Sequence, residues 1–177
     1  MPGILVKPGD IVTTGKKSSV VIVVGKNAFL VNDESHVELI GDRQAASGTH
    51  RPVSLKGLRV KVGKVLSVFE TGARRITTPA AVAGVRGTGI YVESNPDFTY
   101  VCTCYGIADL EATSFPGVQE TVVTRHHEAP RYIFASCPGR PILPAPMLNH
   151  TDEELTMLEA LVGRVPQFSK NAKPSYY

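Results

Sequence analysis

From Ile4 to about Phe134 the apolar residues come in short runs broken by glycine, asparagine, aspartate and serine, and none of these runs has the three-and-four spacing of an amphipathic helix. That pattern predicts an all-β domain of short strands. Residues 18–24 read as a buried strand that turns at Gly25-Lys26-Asn27 and returns over 28–32 as a hairpin. Residues 37–40 follow as a further strand. The stretch 41–52, which includes His50, has no periodicity and reads as a surface loop. In Leu58-Arg59-Val60-Lys61-Val62 strict alternation puts Leu58, Val60 and Val62 on a core face and the charges in water. Gly63 closes that run, and 65–69 continues the sheet. Further strands are predicted over 81–85, 89–93, 100–104, 107–111, 121–127 and 132–134.

The pattern then changes. Four prolines between Pro138 and Pro146 lack the N–H groups a strand ladder needs, which predicts an extended connector over 136–150. Thr151-Asp152-Glu153-Glu154 is a capping box with acids at the positive end of the helix dipole. Leu155, Leu158, Leu161 and Val162 share one stripe, Gly163 suits the C-terminus and Pro166 stops the helix. The chain therefore divides into a β domain over 1–135, the connector, a helical segment over 151–168 docked through Leu155, Leu158 and Leu161, and a flexible tail over 169–177.

Composition narrows the class. A chain of 177 residues, 42% apolar and without tryptophan, can bury a real core, roughly 70% of its extended surface. The net charge of +3 is spread in pairs such as Lys16-Lys17 and Arg74-Arg75, which argues against a nucleic-acid partner. The apolar run Val20 to Val24 is far too short to cross a bilayer, so no membrane span is expected. Met1-Pro2-Gly3 does not open a signal peptide, so an exported form would carry its signal outside these residues.

Two stretches resemble the FecR domain, the bacterial envelope module related to the regulator of ferric-citrate uptake. One is Pro8-Gly9-Asp10-Ile11-Val12-Thr13-Thr14-Gly15 followed by 18–24 and 28–31. The other is Thr78-Pro79-Ala80-Ala81-Val82-Ala83-Gly84-Val85-Arg86-Gly87-Thr88-Gly89 and the strand after it. The likeness spans about 8–112. It implies a compact β-sandwich or β-roll in the periplasm or cell envelope, partnered by another envelope or membrane protein and used in signalling or binding rather than catalysis. It implies no active site.

The resemblance leaves the chemistry-bearing residues unexplained. All three cysteines and three of the five histidines fall between Cys102 and His150. Cys102 and Cys104, two apart on a predicted strand, point to one face with Cα atoms roughly 6–7 Å apart. A disulfide between them would be strained, whereas a metal can be gripped by both sulfurs if the strand bends at Gly106. His126 and His127 would face opposite ways on a strand and converge only at its end or in a turn. The metal-ligand candidates are thus Cys102, Cys104, His126 and His127, with Cys137 and His150 in reserve. His150, just before the helix cap, sits where the dipole favours a neutral imidazole, and it suits an exposed position outside the helix equally well.

Zinc, copper or iron suits such a sulfur and nitrogen set, as does an iron–sulfur centre. Three readings follow: a metal-binding envelope module acting in metal sensing or signalling, a protein- or glycan-binding signalling module with inert cysteines, and an envelope thiol or iron–sulfur redox protein. Neither a G-x-S-x-G elbow nor an H-E-x-x-H helix is present, and the acids of 152–154 are explained by capping. A Cys–His nucleophile formed across strands is the one enzymatic alternative. Gly84 to Gly89 lacks the lysine and the following helix of a phosphate loop, so its glycines read as a tight corner with Arg86 as a buried hydrogen-bonding post.

Overall fold

The computed structural model describes residues 3–42 and 54–171, so the expected loop at 41–52, with His50, lies mostly outside the described residues, as does the tail from 172. The predicted hairpin forms as β2 (Val20–Val24) and β3 (Asn27–Val31), preceded by β1 (Ile11–Thr13) and followed by β4 (His36–Gly41). β2 is an edge strand, however, with Val20, Val21 and Val23 exposed and only Ile22 buried, not the buried strand expected. Six of the expected short strands are in fact three long ones: β5 (Leu55–Val68), β7 (Ala81–Ser94) and β8 (Phe98–Ala112). β5 runs through Gly63 because its neighbour changes there, from β4 alongside 57–62 to β3 alongside 65–68. β7 passes its glycine corner by a bulge between Arg86 and Gly89, where the Tyr105 ring of β8 fills the space of a side chain. A Cβ on Gly89 would lie 2.5 Å from that ring. Arg86 at this corner is exposed and pairs with Asp109 at 3.5 Å, so it is not the buried post expected of it.

The remaining strands are β6 (Ala73–Thr77), β9 (Gln119–Thr124), β10 (Arg131–Phe134) and β11 (Ile142–Pro144). β11 is a correction to the proline connector: its three residues pair with β10, where an edge strand tolerates missing donors. All eleven strands join one sheet in the order β1-β4-β5-β6-β7-β8-β10-β11, with the β2–β3 hairpin attached to β5 and β9 to β8. Among the described residues only β5 and β6 pair in parallel.

Alternation sorts the long strands between two cores. Phe29, Val31, Val65, Ile90, Val92 and Val101 face one. Their neighbours Ala28, Leu30, Leu66, Val68, Tyr91, Tyr100, Cys102 and Cys104 face the other, together with Leu155 and Leu158. Both faces being covered, β3 is buried at every position, and its residues 28–31 read as a continuous apolar run.

The second core is closed by α1 (Asp152–Leu161), whose N-terminus carries the predicted capping box between Thr151 and Glu154. Gly163 follows the helix with φ +71°. Leu155 and Leu158 are fully buried, but Leu161 is 50% exposed and does not dock. Glu159 is buried in its place, because it meets Tyr105 and Arg164 beneath the helix. Within the 151–168 segment the helix itself ends at Leu161, two residues before the Gly163 stop read from the sequence, and Phe168–Asn171, where the tail was expected to begin, forms a 3-10 turn.

Candidate metal centre

Cys102 and Cys104 lie on β8 with both sulfurs on the face covered by α1, and each is fully buried. Gly106, just beyond them, has φ +94°, a left-handed conformation open to glycine, and supplies the expected bend. β9 ends at Thr124, three residues earlier than predicted, so His126 and His127 stand in a turn. The Glu128 carboxylate builds that turn by accepting the backbone N–H groups of Arg125 at 2.6 Å and His126 at 2.9 Å, and these bonds hold its pKa low. His127 takes the left-handed conformation (φ 58°), and its N–H donates to the Cys104 carbonyl at 3.0 Å. Both imidazoles then converge on one carboxylate, Asp152 at the start of α1.

His150 reaches the cluster from the other side. Tyr100 pins the chain before it, donating its hydroxyl to the Pro146 carbonyl (2.9 Å) and accepting from Leu148 N–H (3.0 Å). Asn149 follows with φ 58° and turns His150 inward. There the imidazole stacks on Tyr91, ring centres 4.5 Å apart and planes 12° from parallel. It is 6% exposed, which rules out the exposed position considered for it.

Four ligand atoms therefore meet: Cys102 Sγ, Cys104 Sγ, one nitrogen of His127 and one of His150, all within 4.8 Å of one another. This group could hold a metal ion. Cys102 Sγ is 3.3 Å from His127 Nδ1, Cys104 Sγ is 3.5 Å from His150 Nε2, and the two nitrogens are 3.2 Å apart. A tetrahedral ion with bonds of ~2.3 Å to sulfur and ~2.05 Å to nitrogen would space its ligands at ~3.6 Å for sulfur to nitrogen and ~3.3 Å for nitrogen to nitrogen. The observed spacings match to within about 0.3 Å.

The outer bonds point the same way. His150 Nδ1 donates to the Leu148 carbonyl at 2.6 Å, and His127 Nε2 donates to Asp152 Oδ1 at 3.0 Å. Each bond occupies one ring nitrogen as donor and leaves the other as a lone pair aimed into the cluster. Two lone pairs facing each other at 3.2 Å repel unless a proton or a cation lies between them.

Without a cation the charges adjust. The hydrogen bond from Cys104, with help from His127 and His150, outweighs burial and pulls the Cys102 thiol down to about 4. Burial and the Cys102 charge push the Cys104 thiol up. Burial would lower His127, but the Cys102 thiolate and Asp152 outweigh it and leave its pKa raised.

Of the residues expected from sequence, Cys102, Cys104 and His127 come together, and His150 joins them from the reserve. His126 lies outside: it is half exposed, stacks on Phe168 and binds Asp152 Oδ2 at 2.8 Å. It belongs to a second group, His126, His127 and Asp152, on the rim of the first. Cys137 is half-buried in the loop after β10 and belongs to neither group. Sequence reasoning missed Asp152, which capping alone appeared to explain, and Tyr91 and Tyr100, which orient His150. The sequence carried no signal for them, because the register that pairs Tyr91 with Cys102 is set by the bulge between Arg86 and Ile90.

No protein-family model and no curated protein matches the chain. Among solved structures it is similar to two crystal structures of a candidate anti-sigma factor from Parabacteroides distasonis, with TM-scores of 0.58 and 0.57 and sequence identities of 9% and 10%. Each alignment covers 83% of this chain and 62% or 63% of the other, so this chain spans less than two thirds of those proteins. At that identity the likeness is one of fold: all-β with a short C-terminal helix.

Proposed function

We propose that this chain is a metal-binding β module of the bacterial envelope that takes part in metal sensing or signalling and holds one zinc-type ion through Cys102, Cys104, His127 and His150. The observation that carries this reading is the spacing of four buried ligand atoms with two lone-pair nitrogens 3.2 Å apart. Such a set, with no open position, suits a structural or sensing ion rather than a catalytic one. The ligand atoms are close enough for one ion, whereas a two-iron cluster with mixed ligands carries its cysteines and histidines on separate irons. A disulfide across one intervening residue of a strand is strained, which weighs against thiol cycling. A Cys102–His127–Asp152 nucleophile has its sulfur fully buried, which weighs against a substrate reaching it.

The signalling part of the proposal rests on the FecR-like sequence stretches and on the description of the structural neighbours as candidate anti-sigma factors. The FecR-like stretches favour a partner that is itself an envelope or membrane protein. Elemental analysis of reduced, untagged protein purified anaerobically tests the metal. About one ion per chain is expected, lost in the Cys102→Ser/Cys104→Ser variant. A metal content near zero, with the double variant as stable as the parent, would sink the reading.

A further inference from the structure

We propose that the metal is a latch that fastens α1 to the sheet, so that metal occupancy decides whether the helix is docked. This rests on the metal-binding reading above. Three of the four ligands belong to the sheet side: Cys102 and Cys104 on β8, and His127 on a turn bonded to the Cys104 carbonyl. The fourth, His150, and the orienting carboxylate, Asp152, belong to the helix side. A metal bound by all four closes the join between them.

The helix has little else to hold it. Ten residues are too few for a helix to persist alone in water, so α1 depends on its docking. Its apolar contribution is Leu155 and Leu158, with the half-buried Val162 and Phe168 packed beside them, while Met157, Leu161 and Val165 are exposed. At its far end Glu159 accepts from Tyr105 and from Arg164, whose guanidinium also reaches the Lys26 carbonyl at 2.9 Å. The near end is held by the metal cluster.

In that cluster the helix side and the sheet side each offer a lone-pair nitrogen to the other at 3.2 Å. A cation joins the two nitrogens, and both sulfurs, through four bonds; without it a single proton on His127 Nδ1 supports at most one hydrogen bond across the join, a much weaker fastening. The connector is anchored to the sheet as far as Asn149, by Tyr100 at Leu148 and by Glu93 at the Asn149 side chain (2.9 Å), so release would begin at His150. Release there would uncover Leu30, Leu66, Tyr91 and Tyr105. Linkage makes the coupling reciprocal: the factor by which the metal favours docking is the factor by which docking favours the metal, so a change that leaves the metal-free helix largely undocked must weaken metal binding.

Hydrogen exchange read by mass spectrometry on the full chain, reduced and either loaded with one equivalent of zinc or stripped by chelator, tests the latch. Amides of α1 should exchange at least about tenfold faster in the stripped protein while those of β7 and β8 keep their protection. Reciprocally, Leu158→Ala should lower zinc affinity by about fivefold or more although Leu158 is no ligand. Zinc bound one per chain with unchanged helix exchange, or parental affinity in Leu158→Ala, would overturn the latch and leave the metal site standing. Loss of sheet protection together with the helix would overturn it too, because the ion would then support the whole fold. Failure to bind zinc at all would remove the metal reading and the latch with it.

Discussion

Replacing Asp152 with asparagine keeps the side chain's shape and removes the charge that two imidazoles share. Asp152 Oδ1 lies 3.0 Å from His127 Nε2 and Oδ2 lies 2.8 Å from His126 Nε2. Only the first bond touches a proposed ligand: it fixes the His127 tautomer and aims Nδ1 into the cluster with Cys102, Cys104 and His150. Loss of such an outer partner typically costs 10–100-fold in metal affinity, about 1.4–2.8 kcal/mol. Asparagine retains one acceptor oxygen, so the lower figure, about tenfold or ~1.4 kcal/mol, is expected. Glu153→Gln is the matched control, since Glu153 is exposed in the same first turn. Its favourable interaction with the helix dipole is worth about 0.3–1 kcal/mol and acts on the helix as Asp152 does, without an imidazole contact. Zinc affinity measured by competition with a chromophoric chelator, at fixed pH and salt, should fall in Asp152→Asn and stay within about twofold of the parent in Glu153→Gln. Equal affinities in the parent and Asp152→Asn, or equal losses in both variants, would refute the orienting role.

Three further outcomes are expected. Leu158→Ala should cost about 2–5 kcal/mol in urea unfolding, whereas Leu161→Ala, at a half-exposed position, should stay within about 0.5 kcal/mol. Thr151→Ala removes the side chain that accepts the Glu154 N–H and should cost about 1 kcal/mol by thermal or denaturant unfolding. Cys137→Ser should leave metal stoichiometry unchanged by elemental analysis, because Cys137 lies outside both ligand groups.

The fold was legible where one physical rule governed a segment. The hairpin at Gly25, the core positions Leu58 and Val60 and the capping box at Thr151 read directly from the chain, because turn chemistry, strand pleat and helix ends are local; Val62, expected on the same core face, is 42% exposed. The long strands were not, since a glycine at 63 or a bulge at 86–89 looks like a strand end unless the neighbours across the sheet are known. Leu161 misled for a similar reason. Its stripe position suited burial, but a tyrosine–glutamate–arginine contact set the helix rotation. In the metal cluster, the shared face of Cys102 and Cys104 followed from the strand period. Choosing His150 over His126 required the turn built by Glu128 and the aromatic support of Tyr91, contacts between residues far apart in the chain.

The central claim is that one ion sits among Cys102, Cys104, His127 and His150. X-ray absorption at the zinc edge on the loaded, reduced protein tests it directly. The expected spectrum has two sulfur neighbours at ~2.3 Å and two imidazole nitrogens at ~2.0 Å, with one of those nitrogens lost in His150→Ala. A shell of oxygen and nitrogen without sulfur, or a spectrum unchanged in His150→Ala, would contradict it.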